Sequence, residues 1–210
     1  MFIKKFTSGP LETNSYIIVS SSTREAFIID APPGSFELIH RYQIEDEIKF
    51  QALLLTHSHW DHIADVSKIK DHYGIDVAVH HLDKRNLEEP GSDGLPCPFQ
   101  FPAITPDLFL DETTSLKLGS LNFQVIFTPG HSAGSICFYE KRQRILFSGD
   151  TLFQGSIGNL SFPTSRPDLM WSSLTKLSKL PPHTQVFTGH GPSTTIENES
   201  WLANAQSHFG

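Results

Sequence analysis

Between residues 56 and 62 the chain reads Thr-His-Ser-His-Trp-Asp-His, so positions 57–62 carry three imidazoles and one carboxylate. That donor set suits zinc, iron or manganese. On an extended or turning backbone His57 and His59 point the same way and can share one ion. Asp61 and His62 are displaced enough to serve a second. A solvated His-rich turn or a purification tag is the bland alternative. A tag sits at a terminus, whereas this cluster lies between the apolar run Ala52–Leu55 and a stretch of helical spacing. Three more places follow one pattern: an apolar run, a small residue, then a ligand-type side chain. They are Thr128-Pro129-Gly130-His131, Ser148-Gly149-Asp150-Thr151 and Thr188-Gly189-His190-Gly191. Any one of these alone is more often a turn residue. Four such places in one chain point to a metal site, and Asp150 is placed to bridge two ions.

The elements that must position these residues are legible as alternating and helical patterns. Asn14–Val19 and Ala26–Asp30, split by a polar stretch, predict an antiparallel hairpin. Ser35–Glu47 has helical spacing. Ala52–Leu55 reads as a buried strand, and Ile63, Val66, Ile69 and Tyr73 share one face of a helix over 62–73 that stops at Gly74. Asp76–Val79 predicts a strand and Leu82–Leu87 a short helix. Five prolines between Glu89 and Asp107 forbid regular structure there, and Phe99 and Phe101 predict an ordered loop lying over apolar surface. Strands are expected at Leu121–Thr128, Ser135–Glu140, Arg144–Ser148 and Gln185–Thr188, and helices at Pro167–Lys179 and Glu197–His208. The sum is an α/β (α+β) chain with helices outside two packed sheets.

The chain has 210 residues, 38% apolar and 19% charged, which predicts one globular domain over 1–210 and excludes disorder. Sixteen basic against twenty-three acidic residues give −7 with no basic run, so neither nucleic acid nor a membrane surface is an expected partner. Two cysteines, Cys97 and Cys137, make no disulfide framework. Residues 1–10 lack a signal-like apolar core and no apolar run reaches 18 residues, which together predict a cytoplasmic protein.

In this order and spacing THSHWDH, PGHSAGS, SGDTLF and TGHG resemble the metallo-β-lactamase superfamily, and GDTLF followed by Gln-Gly-Ser-Ile-Gly resembles its short glyoxalase II branch, the hydroxyacylglutathione hydrolases. The likeness runs from the strand-end Asp30 to Gly191. It implies an αββα four-layer sandwich with two divalent ions, zinc first and iron or manganese next, at one edge between the sheets. His57, His59 and His131 would hold the first ion, Asp61, His62 and His190 the second, and Asp150 both. It further implies that hydroxide attacks a thioester carbonyl, with Asp61 as the catalytic hydrogen-bond acceptor. The expected substrate is a small thioester such as S-lactoylglutathione.

Three departures bear on that substrate. Asn159 and Ser161 stand where short relatives have an Arg and an Asp, and the 210 residues include no counterpart of the cationic C-terminal extension of longer enzymes. Asp150 stands where the best-known β-lactamase subclass has a Cys. Asn159, Phe162 and Arg166 are the candidate substrate contacts, with Arg166 and Asp168 as replacements for the missing polar pair. Two other readings are a mononuclear iron glutathione persulfide dioxygenase and a non-catalytic metal-binding regulatory module.

Overall fold

The structure is a computed structural model that describes residues 1–210, apart from the side chains of residues 45 and 46. Strand β1 (Phe2–Ser8) pairs antiparallel with β2 (Thr13–Val19), which pairs antiparallel with β3 (Glu25–Ile29), Tyr16 lying opposite Ile29 and Val19 opposite Ala26. Helix α1 (Ser35–Asp46) then carries the chain over one face to β4 (Lys49–Leu54), which runs parallel to β3. Helices α2 (Trp60–Ile63) and α3 (Val66–Tyr73) cross over to β5 (Asp76–Val79), parallel to β4. A 3₁₀ turn, helix α4 (Lys84–Glu88) and the Pro-rich loop lead to a short parallel edge strand, β6 (Leu108–Phe109). The second sheet is built from β7 (Ser115–Leu118), β8 (Leu121–Phe127), β9 (Ile136–Glu140) and β10 (Ile145–Gly149) as a meander. Helix α5 (Pro167–Leu177) returns the chain to β11 (Gln185–Thr188), parallel to β10, and β12 (Thr194–Thr195) closes the order. A 3₁₀ turn at Ser200–Asn204 and helix α6 (Ala205–Phe209) finish the chain.

Period-two alternation explains the four layers. Within β2, Tyr16 and Ile18 face the other sheet with Phe27, Leu54, Phe123, Phe138 and Phe147, whereas Ile17 and Val19 face helices α1 and α3 with Ile28, Ile39, Leu53 and Ile69. In the second sheet Cys137, Tyr139 and Leu146 face α5 through Met170, Leu174 and Leu177. Each sheet is therefore apolar on both faces, and each needs a helix layer outside. Two mixed sheets flanked by helices are the architecture expected from the sequence.

The helix expected over 62–73 is two helices. The turn after β3 inserts between them: Ala31 donates its N–H to the carbonyl of His62 (2.8 Å), and Asp65 donates to the carbonyl of Ala31 (3.0 Å). This break lets α2 turn its side chains toward the sheet edge while α3 follows the core. The helix expected at Glu197–His208 is likewise a 3₁₀ turn followed by a short helix. Strands β1 and β7, unread in the sequence, are edge strands whose lysines and exposed positions interrupt the apolar alternation. The Pro-rich loop is ordered as expected. Phe99 lies edge-on against Trp60 (5.5 Å), and Phe101 and Ile104 pack on the helix-side core.

Candidate metal centre

Strands β4, β8, β10 and β11 bring the four motifs together beyond their C-terminal ends. His57 and His59 follow β4, Asp61 and His62 lie on α2, His131 sits in the β8–β9 turn, and Asp150 and His190 follow β10 and β11. Three overlapping groups form with ligand atoms within 4.8 Å of one another: His57, His59 and His131; His57, His62 and Asp150; and Asp61, His62 and His190. Asp150 Oδ1 lies 3.3 Å from His62 Nε2, and its Oδ2 lies 3.4 Å from both His131 Nε2 and His190 Nε2. One carboxylate thus touches both halves of the cluster.

Four of the five imidazoles, those of His57, His62, His131 and His190, are oriented through their other nitrogen, the arrangement that presents a ligand atom to a metal. His131 Nδ1 donates to the backbone carbonyl of Asn159 (2.9 Å), and His190 Nδ1 donates to that of Leu11 (3.0 Å). His62 Nδ1 faces Asp30 Oδ2 (2.9 Å), and Thr56 Oγ1, which donates to that same oxygen (2.8 Å), lies 3.1 Å from His57 Nδ1. His57 Nε2, His59 Nε2 and Asp150 Oδ1 are buried with no hydrogen-bond partner. His59 Nδ1 and His131 Nε2 converge to 2.8 Å. Buried polar atoms left unpaired are costly, and a cation is what so many converging lone pairs would satisfy. The residues present fit a metal.

The electrostatics divide the cluster in two. Burial disfavours the charged form of His57, His59 and His131; it holds His57 well below the usual imidazole range, His59 at about 3, and His131 low. Neutral imidazole is the ligating form. Burial also opposes charge at Asp61 and Asp150, but His62 and His190 outweigh it and keep both carboxyls below their ordinary value. The same carboxylates overcome burial at His62, which is held well above the usual range, and at His190, raised to about 9. A cation held by these residues would take the place of those protons, so its uptake would release them.

Asn159 and Phe162 line a cavity of about 510 Å³ against the cluster, together with Leu11, Trp60, Leu95, Pro96 and Phe153. Arg166 is not among its lining residues. Its guanidinium bonds both oxygens of Asp168 (3.0 and 2.8 Å) at the exposed start of α5. Asp168 is equally exposed, so the two neutralise each other outside the cavity.

Several residues of consequence have no role assigned from the sequence, Asp30 among them although the likeness begins there. Asp30, left-handed at φ 58 and 1% exposed, accepts from the backbone and hydroxyl of Thr56 (both 2.8 Å) and faces His62. Its position at a strand end was the only signal. Thr13 donates to Asp61 Oδ2 (2.8 Å). Asp83 accepts from Ser58 N (3.1 Å), Ser132 Oγ (2.7 Å) and Gly134 N (2.6 Å), binding the two histidine-bearing loops to each other. Burial raises its carboxyl above the usual range. Such partners lie far apart in sequence and are visible only after folding. Asp30→Asn keeps the shape but removes the charge facing His62. We expect metal affinity to fall by roughly 10–100-fold, read by competition with a chromogenic chelator; unchanged affinity would show that Asp30 only braces the loop.

The metallo-beta-lactamase superfamily profile matches residues 8–190, and the chain belongs to that superfamily. It is 35% identical over 189 residues to the hydroxyacylglutathione hydrolase GloC of Haemophilus influenzae, covering 87% of each chain. A crystal structure of the BLEG-1 B3 metallo-beta-lactamase superposes with a TM-score of 0.85 at 36% identity, covering 94% of this chain and 96% of that one. The structure of TTHA1623 in a di-iron-bound form superposes at 0.79 with 33% identity over 94% of this chain and 96% of that one. The superfamily is a hydrolytic, metal-binding one, and the His/Asp cluster is where this chain can hold its metal.

Proposed function

We propose that the chain is a binuclear metal-dependent thioester hydrolase, with S-lactoylglutathione among the substrates it turns over and zinc as the first choice of metal. The observation that carries this reading is Asp150, whose two oxygens face His62 on one side and His131 and His190 on the other beside an open cavity. Two ions would be held as the family resemblance implies: one by His57, His59 and His131, the other by Asp61, His62 and His190, with Asp150 between them. Bound there, divalent cations supply Lewis acidity, lowering the pKa of water toward neutrality and polarising an acyl carbonyl.

The chain's own residues do the rest. Asp61, held by the Thr13 hydroxyl and facing His190 Nε2 (3.2 Å), presents a carboxylate oxygen at the cavity wall to accept a proton from the attacking water. Phe162 stands edge-on to His59 (5.4 Å) and His131 (5.5 Å) and keeps bulk water from that side of the cluster. No serine or cysteine nucleophile is needed. Cys137 is buried with its thiol pushed up to about 11 by burial, which makes it a poor nucleophile. Among the described residues no helix is long and apolar enough to cross a membrane.

Metal analysis paired with a thioester screen tests the reading. Two equivalents of metal per chain and hydrolysis of S-lactoylglutathione are expected. One equivalent of iron with oxygen uptake on glutathione persulfide would replace the reading with the dioxygenase one, and metal without any turnover would favour a binding module. Chelation should also lower the thermal midpoint, because a ligand bound only by the folded state stabilises it by about 2.7 kcal/mol at a hundred times its Kd. A midpoint insensitive to chelator would show that the cluster holds no ion. The likeness to the B3 enzyme supports a second reading, β-lactam hydrolysis at the same centre, and a chromogenic cephalosporin assay checks it.

A further inference from the structure

The cavity over the metal centre is walled by Leu11 from the β1–β2 turn, Trp60 from α2, Leu95 and Pro96 from the Pro-rich loop, and Phe153 and Phe162 from the segment after β10. Four separate stretches of chain converge to make one open, apolar-walled cavity. Apart from the metal-site residues, Asn159 is its only polar lining residue, and no Lys or Arg is among the lining residues. The nearby cations are engaged elsewhere. Arg166 is bonded to Asp168, Lys5 Nζ donates to the carbonyl of Gly191 (2.8 Å), and Arg85 pairs with Glu89 (3.0 Å). Its volume of about 510 Å³ is in the range that encloses a small organic ligand.

We propose that this pocket selects thioesters whose thiol arm is uncharged and apolar, in preference to the arm of glutathione with its two carboxylates and one ammonium. The inference rests on the hydrolase reading for turnover but not for binding. Glutathione brings two carboxylates, and desolvating them against Leu95, Pro96 and Phe153 without a charge-assisted partner is unfavourable. An apolar arm loses nothing on leaving water and covers those same side chains. In the reaction the water oxygen bonds to the acyl carbon and the carbon–sulfur bond breaks. The thiolate leaves and is protonated, and the carboxylic acid gives its proton to solvent. Water is the only co-reactant.

The test compares lactoyl thioesters of benzyl mercaptan and of glutathione on the metal-loaded enzyme, alongside binding of the two methyl thioethers, benzyl methyl sulfide and S-methylglutathione, followed by NMR shift changes. The benzyl thioester should show a kcat/KM at least ~10-fold higher, and the benzyl thioether should bind at least ~10-fold more tightly. Leu95→Lys, which places a cation at the rim away from the metal ligands, should move both ratios toward glutathione. A higher kcat/KM or tighter binding for the glutathione compounds in the unaltered protein would overturn the proposal. Tight benzyl thioether binding with neither thioester hydrolysed would uphold the pocket while sinking the hydrolase reading. Hydrolysis that favours the glutathione arm would do the reverse.

Discussion

Asp150→Ala and His59→Ala each reduce the hydrolysis rate by at least ~10³-fold and lower the bound metal. The two substitutions act on different parts of the cluster. Asp150 touches His62, His131 and His190 at 3.3–3.4 Å, so its removal takes away the one carboxylate that faces both halves. His59 belongs to the histidine-only group, and deleting it leaves His57 and His131 with one donor fewer. Metal content by mass spectrometry and thioester turnover should fall together. His183→Ala is the control, since His183 is exposed, pairs with Glu197 (2.7 Å) and lies before β11, at the opposite end of that strand from His190. Near-normal turnover in either test variant, with His183→Ala also normal, would remove the cluster from the catalytic centre.

The positions that the fold gathers into the cluster were legible because each follows an apolar run. Strand ends are where a sheet stops burying side chains and exposes them at its edge, so Leu53-Leu54-Leu55 before His57, or Ile145-Leu146-Phe147 before Asp150, announces both the strand and the residue it presents. The hairpin of β2 and β3 was legible for the same reason of alternation. What stayed hidden depends on contacts between distant segments. Nothing in the periodicity of residues 62–73 reveals that Ala31 bonds into the middle of that stretch and splits it. Nothing local marks Asp83 as the tie between the loops of Ser58 and Ser132, or Leu11 as both a carbonyl acceptor for His190 and a wall of the cavity. Arg166 and Asp168, expected together as a replacement polar pair, do bond each other, but Arg166 is not among the residues that line the cavity.

Gly189→Ala abolishes turnover to the same extent as Asp150→Ala, at least ~10³-fold, although position 189 supplies no ligand atom. A Cβ there would run into Asp150 Oδ1, well inside contact distance, and would also meet the Gly149 carbonyl carbon and His62 Cε1, each at 3.0 Å. Those neighbours cannot give way. Gly149 is fixed by the β10–β11 pairing and by the hydrogen bond from Gly189 N to its own carbonyl (2.8 Å), and His62 is held by Asp30. The carboxylate of Asp150 must therefore swing away, and with it goes the group that faces both halves of the cluster. Overpacking of this kind also costs about 1–3 kcal/mol of stability, so the variant is measured well below its melting point and its fold is checked by circular dichroism. The expected result is a folded protein with reduced metal content and no detectable turnover. A folded Gly189→Ala enzyme with full metal and full rate would mean that the backbone at 189 can move aside, and that Asp150 is not held as tightly beneath it as its contacts indicate.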